Sequence, residues 1–315
     1  MNYKHIEYGL FAFLFFPFFR HSVMPTDIKT KLTYLHWQPT YTQTRPYRIA
    51  QFGRKKKNDE QAHNLVFRKG DFAETIHDIR GVNEDTKYTL ETNGFVYARH
   101  PPPIFTQPKD FLDPDQVRNV FLPECEAILR KEIEGVERVF IFDWKIRKKK
   151  SAKERRTRNP NLLKFARQVH VDTLLTRDEL KTSLTERIRN HLPKESHHLL
   201  TGRVQMINIW RPIGGPVEDD PITVCDGRTF DTSKLVETDM IRGDYNGTLM
   251  YPLYDPSHAC RWYYMSRQDV EDVLLFKSFD SKEGSVKHVP HTSFSMPDVL
   301  EDAPSRISVE ISSYG

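Results

Sequence analysis

From position 31 to about 99, apolar and polar residues alternate in short pieces separated by polar breaks, as in Lys-Leu-Thr-Tyr-Leu at 31–35 and Gly-Phe-Val-Tyr-Ala at 94–98. A period of two predicts peripheral strands. The pattern changes at Asp113-Pro114, which opens a helical stretch. It changes again at Pro123-Glu-Cys-Glu-Ala-Ile-Leu-Arg-Lys-Glu-Ile133, where proline in the first turn and Gly135 just past the end bracket another helix. Arg138 to Trp144 (Arg-Val-Phe-Ile-Phe-Asp-Trp) is aromatic and β-branched, the composition of a buried strand. Thr176-Arg-Asp-Glu179 forms a capping box, and Leu180, Leu184, Ile188 and Leu192 follow at fourfold spacing, predicting a helix through about His191. Beyond it come five strand-like runs: 203–210, 247–253, 261–265, 273–276 and 306–311. Short strands divided by Pro, Gly and Asp turns predict an antiparallel sandwich or barrel, mainly β with flanking helices, rather than a parallel α/β sheet.

A chain of 315 residues with 38% hydrophobic and 12% aromatic content can bury a full core. The formal charge of +4 on 47 basic and 43 acidic residues is too balanced to argue for a nucleic-acid partner. One local excess exists, between Arg147 and Arg158, where eight of twelve residues are basic; a solvated loop over 146–160 is the expectation, shortly before the candidate chemistry described next. Cys125, Cys225 and Cys260 are widely spaced and odd in number, which points to a reducing compartment, hence the cytoplasm. The segment 1–23 carries an apolar run, Gly9 to Phe19, too short to span a bilayer. It reads as a signal, an anchor or a start chosen upstream of Met24, and membrane contact is expected only if the run belongs to the protein. Asn246-Gly-Thr fits a glycosylation sequon, a triplet frequent by chance.

Candidate chemistry begins at Gln168-Val-His-Val-Asp172. Residues two apart on a strand share a face, so His170 and Asp172 form a two-ligand clamp. One later histidine completes two imidazoles and a carboxylate, a facial triad that leaves adjacent positions on iron(II) open. His258 and His291 compete for that place. His291 is preferred, because Val273-Leu-Leu-Phe precedes it like a strand and Arg306 follows it by fifteen residues. A guanidinium there suits a carboxylate ligand, which it binds with two parallel hydrogen bonds, and Ser308 lies two residues on, on the same face. Arg211, after the run Asn208-Ile-Trp, is either a contact to substrate or co-substrate or an arginine closing a surface turn. Trp262, Tyr263 and Tyr264 read as core.

With these residues in hand the chain resembles the fungal iron(II)- and 2-oxoglutarate-dependent hydroxylases and desaturases of secondary metabolism, gibberellin desaturases among them, related to cephamycin methoxylase proteins. The resemblance runs from about 31 to 310. It rests on Gly94-Phe95, Val139-Phe-Ile-Phe-Asp143, Val169-His-Val-Asp172, Asn208-Ile-Trp-Arg-Pro212, Gly215-Pro-Val217, Cys225-Asp226, Arg261-Trp-Tyr-Tyr264, Val273 to Lys277, Pro290-His-Thr292 and Arg306-x-Ser308-x-Glu310. It implies a double-stranded β-helix (jelly-roll) core over 161–311 within a single oxygenase domain 24–315, with strands and helices of 24–145 before it. It also implies iron held by His170, Asp172 and His291, 2-oxoglutarate held by Arg306 and Ser308 with Arg211 nearby, O2 as oxidant, and a small hydrophobic natural product as substrate. The chain departs from the family pattern at Ser312, where an arginine is usual, and at Ala259 and Cys260, which separate His258 from Arg261-Trp-Tyr. Two other readings compete: a non-catalytic binding protein of the same fold, and a metal-dependent hydrolase using the same ligands for zinc. Arg306 speaks against the second, since zinc hydrolysis needs no carboxylate clamp.

Overall fold

The computed structural model describes residues 25–49, 62–81, 88–149, 161–172, 188–242, 245–257 and 259–315. The apolar run before residue 24, the capping box at 176–179, His258 and the basic residues 150–158 lie outside them, as does the side chain of Asn246.

The chain first lays down β1 (Ile28–Thr30), β2 (Thr33–Leu35), β3 (Tyr47–Ile49), β4 (Phe67–Lys69), β5 (Glu74–Asp78) and β6 (Phe95–Arg99). A helical region follows. Asp113 caps it by accepting from the backbone N–H groups of Asp115 and Gln116 at 2.9 and 3.3 Å, and it passes through a π turn at 117–121 into the helix Leu122–Glu132. Then come β7 (Phe140–Lys148), β8 (Leu162–Leu163), β9 (Gln205–Pro212), β10 (Ile222–Cys225), β11 (Leu235–Arg242), β12 (Tyr245–Pro252), β13 (Trp262–Tyr264), β14 (Asp272–Asp280), β15 (His291–Ser293) and β16 (Ile307–Tyr314). Each predicted strand run is present, within a few residues of its expected ends.

Six strands form one sheet in the order β6-β14-β9-β16-β7-β8, and five form the facing sheet, β1-β5-β13-β10-β15. Strand β9 is buried along its whole length, because both faces of its sheet are covered. One face carries Ile207, Ile209, Val273, Leu275, Val309, Ile311 and Ile146 against Cys125, Ile128 and Leu129 of the helix. The other face carries Trp210, Leu274 and Phe276 toward Ile222, Val224 and Tyr263 of the second sheet. Burial of each such side chain contributes ~1.5–3 kcal/mol, and together they close the two sheets into a jelly roll. Trp262 and Tyr264 are buried in a further cluster beneath β1 and β2.

Parity along the strands decides what faces inward. With Ile207 and Ile209 turned to the helix, Asn208 and Trp210 point inside; with Val309 and Ile311 turned to the helix, Ser308, Glu310 and Ser312 do. Gly94, just before β6, sits at φ +82, and a Cβ there would come within 2.5 Å of Val289 and 2.7 Å of Val286, so only glycine lets the chain pass this close to the approach to β15.

One expectation is corrected here. The basic stretch begins inside β7, not in a loop: β7 runs to Lys148 and pairs with β16 over its length. Arg147 therefore points inward and is largely buried against Glu310, Nε to Oε2 2.7 Å. A cation at an inward strand position is stable only with such a partner, since leaving water unpaired would cost several kcal/mol.

Candidate metal centre

His170 and His291 meet as directly opposed residues of an antiparallel pair. The His170 backbone N–H donates to the His291 carbonyl at 3.1 Å and the His291 N–H to the His170 carbonyl at 2.9 Å. Opposed residues of such a pair project to the same face, and the two imidazole centroids lie 4.2 Å apart. Asp172, two residues on, shares that face. Its carboxylate oxygens stand 3.5 Å from His170 Nε2 and 3.3 Å from His291 Nε2. One ligand atom from each of the three residues lies within 4.8 Å of the others.

The tautomers are set by backbone carbonyls. His170 Nδ1 donates to the Gln168 carbonyl at 2.8 Å and His291 Nδ1 faces the Val289 carbonyl at 3.4 Å, so each Nε2 keeps its lone pair for the centre. His291 Nε2 is buried without a hydrogen-bond partner. Burial first, then neighbouring His291, pushes the His170 imidazole down to about 4 against the opposing pull of Asp172, keeping it neutral. Burial would raise the Asp172 carboxyl, but attraction to His291, His170 and Lys145 holds it well below the usual carboxylate range. Asn208 Nδ2 donates to Asp172 Oδ2 at 3.0 Å and lies 3.1 Å from Ser278 Oγ, orienting the carboxylate. Two imidazole nitrogens and one ionised carboxylate crowded onto one face are the donor set that a divalent iron ion stabilises.

A second feature stands beside this one. Arg306 is 2% exposed. Its Nη1 is pinned to the Asp220 carbonyl and to Ser293 Oγ, the latter at 3.0 Å, while Nε and Nη2, like the hydroxyl of neighbouring Ser308, are buried with no hydrogen-bond partner among the described residues. Burial, and then the repulsion of Arg147, pull this guanidinium down to about 9, so it still carries its charge at neutral pH. Unpaired buried donors on a cation are costly. A carboxylate placed between Arg306 and Ser308 would satisfy all three.

Arg211 is not brought to this group. It occupies the opposite face of β9 from Asn208 and Trp210, where it donates to Glu124 Oε1 at 2.9 Å, to the Pro101 carbonyl at 2.8 Å and to the Val270 carbonyl at 3.1 Å. The inward residues Asn208 and Glu310 and the partner Arg147 received no role from the sequence. Alternation along Asn208-Ile-Trp-Arg211 already separates Asn208 and Trp210 from Arg211. Nothing local pairs Arg147 with Glu310, 163 residues away.

Comparison with known proteins places the chain in a family. Residues 32–314 match the family described as "Oxidoreductase/YMDC permease-like domain". The "Aspirochlorine biosynthesis protein N" of Aspergillus oryzae is 39% identical over 128 residues, 40% of this chain and 53% of that protein, so the match spans about half its length. The "Fe(II)/2-oxoglutarate-dependent dioxygenase nvfI" of Aspergillus novofumigatus is 26% identical over 246 residues, 75% of this chain and 80% of that protein. A solved structure titled "iron and alpha-ketoglutarate-dependent endoperoxidase NvfI" superposes with a TM-score of 0.74 over 92% of this chain and 97% of that one, at 22% identity, and shows the shared fold. The relatives it resembles thus carry the names Fe(II)/2-oxoglutarate-dependent dioxygenase and hydroxylase/desaturase, and the chain itself belongs to the oxidoreductase/YMDC permease-like domain family.

Proposed function

We propose that the protein is an Fe(II)- and 2-oxoglutarate-dependent oxygenase that hydroxylates or desaturates a small-molecule natural product. The observation that carries this reading is the pairing of two features inside one jelly roll: the His170, Asp172 and His291 donor set, and a buried, underpaired guanidinium at Arg306 beside Ser308. Iron in the first and the far carboxylate of 2-oxoglutarate in the second account for both. Bound iron supplies O2 activation coupled to decarboxylation of the co-substrate to succinate and carbon dioxide.

The chain's own residues do the rest. His170 and His291 keep their Nε2 atoms aimed at the metal through Nδ1 hydrogen bonds, and Asn208 stops the Asp172 carboxylate from turning away. Arg306 and Ser308 hold the co-substrate by its distal carboxylate, which orients its reactive end. Phe276, with its ring centroid 4.4 Å from that of His291, and Trp210 keep water from that side. The substrate is read as mainly apolar, bearing a few oxygens. The Tyr251 ring at 6.5 Å from His170 offers an apolar wall, and the Lys145–Asp143 pair at 2.9 Å, on the inward face of β7, offers hydrogen bonds. Cytoplasmic location is our reading from the three free cysteines; among the described residues no helix is long and apolar enough to cross a membrane.

The test is spectroscopic. Anaerobic Fe(II)-loaded protein should develop a weak visible charge-transfer band on adding 2-oxoglutarate, and should form succinate on admission of air. Protein that binds iron at this site yet gives neither band nor succinate would refute the assignment.

A further inference from the structure

One end of the Arg306 guanidinium is pinned, but the end bearing its two free donors meets, among the described residues, aromatic rings and no hydrogen-bond acceptor. Its Cζ lies 4.0 Å from the centroid of Phe165 and 5.3 Å from that of Trp210. Trp210 is locked in the core at 1% exposure. Phe165 is not: it is half-buried, one residue after exposed Lys164, and β8 ends before it at Leu163. That segment is held on one side by the Ser293 backbone N–H, which donates to the Ala166 carbonyl at 2.8 Å, and on the other by Arg147. Its Nη1 donates to the Lys164 carbonyl at 3.1 Å, while its Nε and Nη2 take the two oxygens of Glu310 at 2.7 and 3.4 Å. Arg147 also pairs in register with Ser308 across β16 and with Leu163 across β8.

We propose that Arg147 is a positioning residue for the carboxylate cradle: anchored by Glu310, it holds the Lys164–Phe165 segment so that the Phe165 ring sets the plane of the Arg306 guanidinium. This rests on the reading of Arg306 as the partner of 2-oxoglutarate. The fork geometry is what the role requires, since only a guanidinium reaches a carboxylate through two nitrogens and a carbonyl through a third. Glu310 also offsets part of the charge of Arg147 locally, its two oxygens accepting from Nε and Nη2. The depression of Arg306 by Arg147 is consistent with how close the two groups lie.

The experiment is calorimetric titration of anaerobic Fe(II)-loaded protein with 2-oxoglutarate, and separately with 2-oxobutyrate, which lacks the distal carboxylate. Wild type is compared with Arg147→Met, Phe165→Leu and the double variant. Each single substitution should weaken 2-oxoglutarate about tenfold, the scale of one partly desolvated cation–ring contact, with Fe(II) and 2-oxobutyrate affinities unchanged. The double variant should be no worse than the weaker single, because both changes break one route. Losses that multiply in the double variant, an equal loss for both acids, or full 2-oxoglutarate affinity in either single would overturn the proposal. If Arg147→Met does not fold, Phe165→Leu alone decides by the same comparison of the two acids. Wild type that binds neither acid would refute the oxygenase reading instead.

Discussion

Arg211 is the residue at which a structural and a co-substrate role predict opposite results. Its side chain is fully buried and its guanidinium serves Glu124, Pro101 and Val270. Arg211→Met keeps most of the volume and removes every donor, leaving a carboxylate that is 20% exposed and two carbonyls without that partner. Breaking a buried ion pair from one side costs about 3–5 kcal/mol, and we take ~4. With an unfolding entropy of ~2.1 cal/mol/K per residue, a chain of 315 residues loses about 0.66 kcal/mol per degree, so Tm should fall by ~6 °C. The double variant Arg211→Met/Glu124→Met removes the stranded carboxylate and should recover a good part of that loss. Differential scanning calorimetry of the metal-free protein gives Tm, and titration with 2-oxoglutarate gives affinity, which should stay within about twofold of wild type. A variant that melts like wild type but no longer binds 2-oxoglutarate would sink this argument and return Arg211 to the active site.

Other expectations are as direct. His291→Ala and His170→Ala should each abolish stoichiometric Fe(II) binding in equilibrium dialysis; retention of a full equivalent by either would exclude that histidine as a ligand. Asn208→Leu should lower Fe(II) affinity about 10- to 100-fold by freeing the Asp172 carboxylate, with Tm nearly unchanged. Gly94→Ala should destabilise by about 2–4 kcal/mol, from the positive φ and the contacts of its Cβ with Val286 and Val289; a denaturant midpoint equal to wild type would disprove the close approach. His170 titrates at about 4 when folded and near 6.5 when unfolded, so the unfolded chain binds the extra proton between those values. The stability of metal-free protein should therefore be flat above about pH 6.5 and fall as pH drops toward 4, and His170→Ala should flatten that slope in urea titrations.

Much of the architecture is legible without coordinates because strand parity and turn chemistry are local. The alternation in 203–210 and 306–311, the proline and glycine around the helix Leu122–Glu132, and the shared face of His170 and Asp172 all follow from covalent geometry over a few residues. Tertiary structure decided the partners. Whether His291 meets His170 depends on one antiparallel register between segments 121 residues apart in number. That Arg147 is a buried clamp instead of a loop cation depends on Glu310 arriving opposite it from the last strand. Arg211 had two possible neighbourhoods, and the helix that delivers Glu124 to the outer face of β9 chose one. Sequence by itself set which residue types could bind a metal and a carboxylate, and the facing direction of each within its strand. Which of them stand together is a property of sheet register and layer packing, since the energy of a buried charge is settled only by what the rest of the chain places beside it.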